Sequence, residues 1–178
     1  YYLGVYAYAS YSSVTVKATY TTGGGGVGTE LVTNGGFESG TTPWTLATYS
    51  TRTSGSAQAG SYKVQMLGRG SSTSTNFYQP IGGFNGATKT LRFYLKIASS
   101  EGTTTAYDYL YVRLKNTSGS TVSTLATYSN RNKNTYAGWT LVTLTVPSSA
   151  LANYRISFDA TEDSSIATTF YIDSVSIQ

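Results

Sequence analysis

Apolar and polar residues alternate through most of this chain, and a period of two predicts β-strands rather than helices. The alternation predicts eight strands, separated by segments rich in Gly, Ser, Asn and Pro. They are Tyr62 to Met66, Asn76 to Ile81, Thr90 to Ile97, Tyr107 to Leu114, Ser120 to Tyr128, Thr140 to Val146, Tyr154 to Ala160 and Thr169 to Ile177. Short strands at this spacing are typical of a sandwich. We therefore predict an all-β fold, a jelly-roll β-sandwich.

The alternation also gives each strand an inward and an outward face, because successive side chains point to opposite sides of a sheet. The predicted inward residues are Leu91, Phe93, Leu95, Ile97, Leu110, Val112, Leu114, Val142, Leu144, Val146, Ile156 and Phe158. The outward residues of two of these strands are Arg92, Tyr94, Lys96, Tyr107, Tyr109, Tyr111 and Arg113.

The first 22 residues predict a separate β-hairpin, since Tyr1 to Tyr20 alternate as two strands around a short turn. A lone hairpin is marginally stable in water, so it must pack on its own domain, belong to a missing domain or pair with another molecule. Four glycines, Gly23 to Gly26, indicate a flexible linker over residues 23–29. The sandwich then spans residues 30–178. A hairpin donated to a neighbour would contact it through Tyr2, Leu3, Val5, Tyr6, Tyr8, Val14 and Val16.

Composition narrows the class of function. Only 11% of the residues are charged, 17 are Tyr, and about 30% are Ser or Thr. Such a profile suits strands and favours a secreted, extracellular protein. The chain has no Cys and no His, which excludes disulfides and histidine-based zinc sites or catalytic triads. No Gly-x-Ser-x-Gly nucleophile motif occurs either. We predict a protein that is not an enzyme.

Charge and hydropathy limit the partners. The net charge is +4, but the 12 Lys and Arg residues are scattered, so we predict no nucleic-acid partner. The sequence contains no apolar run long enough to span a membrane, so we predict no membrane insertion. The chain starts at Tyr1 and shows no signal peptide, so we expect a mature product or a fragment.

Four segments in order resemble a known family. They are Leu31 to Gly40 followed by Pro43-Trp44, Ala59 to Val64, Tyr78 to Ile81, and Phe170 to Ile177. The family is the galactose-binding-like jelly roll of carbohydrate-binding modules and related accessory domains of secreted bacterial enzymes. The resemblance covers residues 30 to 178, and it implies a fold that hosts many functions. Residues 1 to 20 resemble the last hairpin of a bacterial pre-peptidase C-terminal domain, a β-sandwich found after secreted proteases.

The resemblance also implies a structural calcium ion. In that family calcium often joins the opening segment to the closing strand, and Glu38 and Asp173 occupy the matching positions. Backbone oxygens between Ser61 and Lys63 would complete the oxygen ligands that calcium requires. Ser174 stands where the family frequently has a second Asp, which removes one anionic ligand. The alternative is that Glu38 and Asp173 only cap turns and accept hydrogen bonds.

The outward aromatic residues form a second candidate site. Sugars stack their C–H faces on aromatic rings, and a platform of Tyr94, Tyr109 and Tyr111, with Arg92 and Arg113 beside it, would suit a glycan. The platform requires the strands that carry these residues to be neighbours in one sheet. The alternative is a Tyr-rich face stabilised by cross-strand pairs or covered by another molecule.

The acidic group Asp159, Glu162 and Asp163 is a weaker candidate. A glycosidase needs two carboxyl groups facing one cleft, whereas Glu162 and Asp163 fall in a predicted Ser- and Thr-rich turn, where carboxylates are solvated.

The sequence therefore favours a non-catalytic extracellular module that binds polysaccharide or cell-surface glycan and is appended to a secreted enzyme such as a protease. The alternative is a structural subunit of an extracellular filament, in which the hairpin donates strands to copies of itself.

Overall fold

The computed structural model describes residues 28–178, and the predicted hairpin and most of the linker lie outside this part of the chain. Two antiparallel five-stranded sheets pack face to face. The strands are β1 (Thr45–Leu46), β2 (Ser50–Ser54), β3 (Tyr62–Leu67), β4 (Thr73–Ile81), β5 (Lys89–Ser99), β6 (Tyr109–Lys115), β7 (Thr121–Ser129), β8 (Thr140–Val146), β9 (Tyr154–Glu162) and β10 (Thr168–Ile177). A short 3₁₀ turn, Asn130–Asn132, follows β7.

Sheet A has the strand order β1-β4-β9-β6-β7, and sheet B has the order β2-β3-β10-β5-β8. The predicted all-β jelly-roll sandwich is confirmed, and each of the eight predicted strands is present. The alternation did not reveal β1 and β2. The sequence of β2, Ser-Thr-Arg-Thr-Ser, has no apolar residue and therefore shows no alternation. This edge strand is ordered by its backbone pairing with β3.

The core lies between the sheets and is centred on aromatic rings. Phe158 of sheet A stacks on Phe77 at a centroid distance of 4.7 Å and meets Phe93 of sheet B edge-on at 5.1 Å. The predicted inward residues are buried, with the exception of Leu144, which is half-buried and packs against the core. Trp44 is also buried and donates its indole N–H to the Asn34 carbonyl at 3.0 Å.

The segment before β1 is anchored along β10. Leu31 N–H donates to the Ile177 carbonyl at 2.9 Å, and Val175 N–H donates to the Gly35 carbonyl at 3.0 Å. A Cβ atom at Gly35 would lie 1.8 Å from the Val175 carbonyl oxygen, so only glycine permits this approach. The opening and closing segments of the domain are thereby joined. None of the helices within residues 28–178 has the length and apolarity that a membrane span needs.

Candidate functional site

The predicted aromatic platform is divided between the two sheets. Tyr94 and Arg92 lie on β5 in sheet B, whereas Tyr109, Tyr111 and Arg113 lie on β6 in sheet A. Outward faces of opposite sheets point away from each other, so these residues do not form one surface. The prediction of a single platform is wrong, because β5 and β6 are consecutive in the chain but cross from one sheet to the other.

The β6 residues form a continuous stacked row. The rings of Tyr109 and Tyr111 are nearly parallel, with centroids 5.8 Å apart and an interplanar angle of 13°. The Arg113 guanidinium carbon lies 4.2 Å from the Tyr111 ring centroid. Because Tyr109 and Arg113 flank Tyr111 along the strand, they hold its ring from both sides, and such contacts favour one rotamer.

Asp159 on β9 lies directly across from Tyr111 in the sheet register. Its carboxylate accepts a hydrogen bond from Arg113 Nη1 at 2.9 Å, from Lys115 Nζ at 2.8 Å and from the Ser157 hydroxyl at 2.6 Å. The Asp159 side chain is only 11% exposed, and those of Arg113 and Lys115 are 28% and 17% exposed. Two basic groups on one strand therefore neutralise a carboxylate on the next.

A groove of about 420 Å³ opens over this network on the outward face of sheet A. We refer to it as the sheet A groove. It runs from β4 across β9 to β6, and Asn76 pairs with Asp159 on the side opposite to Tyr111. Its lining combines an aromatic ring, charged groups, an amide and hydroxyl groups: Ala47, Ser74, Thr75, Asn76, Tyr111, Arg113, Lys115, Asp159, Ala160 and Thr161. The Tyr111 ring edge can make an apolar contact with a sugar, and the polar groups can hydrogen-bond its hydroxyls.

The outward face of sheet B has a different character. Tyr94 pairs with Asp173 of β10 and Leu141 of β8. Arg92 lies two residues before Tyr94 on the same face of β5 and is exposed. A second groove, of about 370 Å³, lies nearby and contains Tyr171 between two lysines, Lys63 and Lys96. The lysine ammonium groups lie 5.5 Å and 5.9 Å from the Tyr171 ring centroid.

Glu38 and Asp173, the calcium ligands implied by the resemblance, converge on the loop between β2 and β3. Glu38 Oε1 accepts hydrogen bonds from the backbone N–H groups of Ser61 and Tyr62 at 3.0 and 2.8 Å. Asp173 Oδ2 accepts two more, from Gln58 and Ala59, and Oδ1 accepts one from Ser174. Burial raises the pKa of Asp173, the nearby Glu38 charge raises it further, and the backbone hydrogen bonds oppose this rise.

Lys63 completes this cluster. Its ammonium group donates to the Ser54 and Gly55 carbonyls. Burial and the neighbouring Lys96 lower the Lys63 pKa, and Asp173 opposes that shift. The structure thus brings Glu38, Asp173 and Lys63 together, and N–H donors already hold both carboxylates, as the turn-capping alternative describes. The acidic oxygens suit calcium in their chemistry, and calcium at this position stays a prediction.

The third candidate group is dispersed. Asp159 belongs to the sheet A groove, whereas Glu162 ends β9 and accepts backbone hydrogen bonds from Arg69, Gly70 and Thr168. Glu162 is 4% exposed, so the prediction of a solvated turn carboxylate is wrong: this side chain fixes two loops. Asp163 lies beside two further acids, Glu101 and Asp108.

Sequence reasoning missed Asn76 and Lys115 in the groove, and it missed Glu101 and Asp108. Extending the alternation of β6 by one step would have placed Lys115 on the outward face with Arg113. Asn76 required the pairing of β4 with β9, which the sequence does not reveal. Trp139 is half-buried and donates its indole N–H to the Ser56 carbonyl at 3.0 Å.

No family model matches this chain, and no curated protein matches it. Solved structures, however, share its fold. The module TmCBM61, solved with β-1,4-galactotriose, has a TM-score of 0.57 at 13% identity, covering 84% of this chain and 97% of that one. The K3 cleaved adhesin domain of Lys-gingipain from Porphyromonas gingivalis W83 has a TM-score of 0.56 at 13% identity, covering 83% and 96%.

A two-module chain gives a third comparison. The CBM22-1 and GH10 modules of the Clostridium thermocellum xylanase Xyn10B, complexed with xylohexaose, have a TM-score of 0.53 at 20% identity, covering 84% of this chain and 28% of that one. At these identities the likeness shows the fold alone. The chain has the β-sandwich fold seen in carbohydrate-binding modules.

Proposed function

We propose that this chain is a non-catalytic carbohydrate-binding module and that the sheet A groove is its glycan-binding surface. The observation that carries the proposal is the Tyr109–Tyr111–Arg113 row bordering a groove whose floor holds Asp159. Rings fixed by stacking offer an apolar edge to a sugar without losing rotamer freedom on binding. The ion-paired carboxylate and the Asn76 amide supply fixed hydrogen-bonding groups.

The groove is suited to binding rather than to cleavage. Glycoside hydrolysis requires a pair of carboxyl groups facing one bond, and the groove lining within residues 28–178 contains a single acid, Asp159. That acid makes ion pairs with two basic side chains, Arg113 and Lys115. Among the described residues, the groove lining therefore lacks the second carboxyl group that such chemistry needs.

The fold and the groove together support a proposal for the ligand class. Structures with the same fold were solved with β-1,4-galactotriose and with xylohexaose, and we propose a neutral β-linked polysaccharide or cell-surface glycan as the ligand. We also propose that the module is extracellular and appended to a secreted enzyme. The xylanase chain and the Lys-gingipain domain, which have the same fold, support that setting.

Two matched tyrosine variants test the groove. Tyr111→Ala removes the central ring of the row, and we expect at least tenfold weaker retention by β-1,4-galactan or xylan in affinity electrophoresis, because the sugar loses the apolar edge of this ring and Arg113 loses the contact that fixes it. Tyr94→Ala removes an outward tyrosine from the opposite sheet and should retain wild-type binding. Loss of binding in Tyr94→Ala with full binding in Tyr111→Ala would move the site to sheet B and contradict the proposal.

One observation favours the alternative of assembly by strand donation. Strand β8 is an edge of sheet B, pairs with β5 without a register shift, and carries no charged residue. Its Leu141 side chain is 49% exposed. An uncharged, regular edge accepts an added strand, and we propose it as the acceptor for residues 1–20 of a second copy. Deleting residues 1–26 should then convert oligomers to monomers in size-exclusion chromatography, and a full chain that is monomeric at high concentration would contradict this alternative.

A further inference from the structure

Three carboxylates meet at one end of the sandwich. Glu101 lies in the connection from β5 to β6, Asp108 directly precedes β6, and Asp163 directly follows β9. One oxygen atom from each lies within 4.8 Å of the others. We call Glu101, Asp108 and Asp163 the acidic end site. All three lie where the chain passes from one sheet to the other.

Two carboxylate oxygens of this site have no partner. Glu101 is 2% exposed and Asp108 is fully buried. Glu101 Oε2 and Asp108 Oδ2 accept no hydrogen bond from any residue of the 28–178 range. The Thr168 hydroxyl lies near the Asp108 carboxyl, but it donates its hydrogen bond to Ser99 Oγ at 2.8 Å. Buried carboxylate oxygens without donors are strongly unfavourable, so both atoms point to a missing partner.

Basic side chains nearby do not supply that partner. Lys133 Nζ donates to the Glu101 backbone carbonyl, and Arg131 Nε donates to the Thr103 carbonyl at 3.3 Å. In the part of the chain that the structure describes, both ion pairs are made by Asp159, within β9, and neither involves Glu101, Asp108 or Asp163. Burial raises the pKa of both Glu101 and Asp108, and the charges of the neighbouring acids add to the rise. At Asp108 the Thr168 hydroxyl and the hydrogen bond from Asp163 N–H oppose it.

The scaffold around the cluster is fixed by a buried amide. Asn130 Oδ1 accepts a hydrogen bond from Tyr107 N–H at 2.9 Å, and Asn130 Nδ2 donates to the Gly102 and Thr105 carbonyls at 2.9 Å. Asp108 Oδ1 also accepts a hydrogen bond from Asp163 N–H at 2.9 Å. These hydrogen bonds hold the loop in place with its carboxylates converging.

We propose that the acidic end site binds a calcium ion through Glu101, Asp108 and Asp163. Calcium accepts oxygen ligands at about 2.3–2.6 Å, which places them up to about 5 Å apart around the ion, as observed here. Magnesium requires shorter, near-octahedral geometry, which side chains from two separate loops match poorly. The ion would give both unpartnered oxygens a ligand and join the β5–β6 loop to the β9–β10 loop.

Calorimetric titration of the full chain with calcium chloride tests the proposal. The double variant Glu101→Gln plus Asp108→Asn keeps the side-chain shapes and removes two charges, so it should bind one calcium ion fewer than the wild type. Glu38→Gln is the matched control, because it alters the separate Glu38–Asp173 cluster and should keep this binding event. Wild-type protein that binds no calcium, or a double variant with unchanged stoichiometry, overturns the proposal.

Thermal unfolding gives a second readout. Calcium at about 100 times its Kd should raise the wild-type Tm by about 5–10 °C relative to chelator, and the double variant should lose most of that rise. Asp163→Asn alters the least buried ligand, so it should fold normally and bind calcium at least tenfold more weakly. Unchanged calcium affinity in Asp163→Asn, or magnesium binding as tight as calcium, contradicts the assignment.

Discussion

The sheet A groove and the acidic end site both contain carboxylates withdrawn from water, and the two regions neutralise them by different means. In the groove, Asp159 receives two basic side chains and a hydroxyl group. In the acidic end site, Glu101 and Asp108 face another acid, and each has an oxygen without a donor. The first arrangement is complete within the protein, and the second requires a partner from outside it.

This difference follows from where the residues lie in the fold. Asp159 sits in the middle of a strand, so the sheet register places Arg113 and Lys115 beside it on β6. Glu101, Asp108 and Asp163 lie in connections between sheets, where irregular backbone lets side chains converge without a register. A sheet face can pair charges by strand alternation, whereas converging loops supply the several oxygens that a metal ion needs.

Removing the groove carboxylate should have the largest effect on stability. Asp159→Ala leaves Arg113 and Lys115 as partly buried cations without an anion, and we expect the free energy of unfolding to fall by about 2 kcal/mol, reduced from the fully buried case because both partners are partly hydrated. Urea denaturation measures this. Asp159→Asn keeps hydrogen-bond acceptors and should lose about half as much. A stability equal to that of the wild type in Asp159→Ala would show that the network contributes nothing.

Removing a carboxylate from the acidic end site should instead raise the free energy of unfolding when no calcium is bound. In chelator, Asp108→Asn removes one of three converging negative charges and provides an amide that can donate to the unpartnered Glu101 oxygen. We therefore expect the free energy of unfolding to rise by about 1 kcal/mol, measured by urea denaturation in EDTA. In saturating calcium the same variant should be less stable than the wild type. Destabilisation under both conditions would mean that Asp108 is satisfied by the protein itself.

The smallest effect should come from removing one of two redundant cations. Lys115→Met keeps an apolar stem over the groove, and Asp159 retains Arg113 and the Ser157 hydroxyl. We expect a loss of about 0.5 kcal/mol that shrinks when the denaturation is repeated at high salt. If the loss matches that of Asp159→Ala, then Lys115 rather than Arg113 is the main partner.

The sequence predicted the sandwich because alternation is a local property. Leu91, Phe93 and Leu95 face the core as expected, since each strand needs only its own pattern to choose a face. The platform could not be predicted, because the alternation of β5 and β6 carries no information about which sheet each joins. Asn76 and Asp159 meet only through the register of β4 and β9.

At one site the family resemblance predicted a contact that the alternation of apolar and polar residues could not. It brought Glu38 and Asp173, far apart in the chain, to one loop, and the structure places both carboxylates there. The acidic end site had no such signal. Glu101 stands among Ser, Gly and Thr residues and Asp108 stands between two Tyr residues. Nothing in their spacing from Asp163 indicates that the loops converge.

The position of β10 has a consequence for the order in which the domain can fold. This strand comes last in the chain among the ten, yet it lies at the centre of sheet B, between β3 and β5. Until residues 168–177 emerge during synthesis, sheet B consists of two separate hydrogen-bonded pairs, β2–β3 and β5–β8, with two open edges facing a gap. Completion of the sandwich must therefore follow translation of this segment, and a chain truncated before Thr168 is left with exposed edges that favour aggregation.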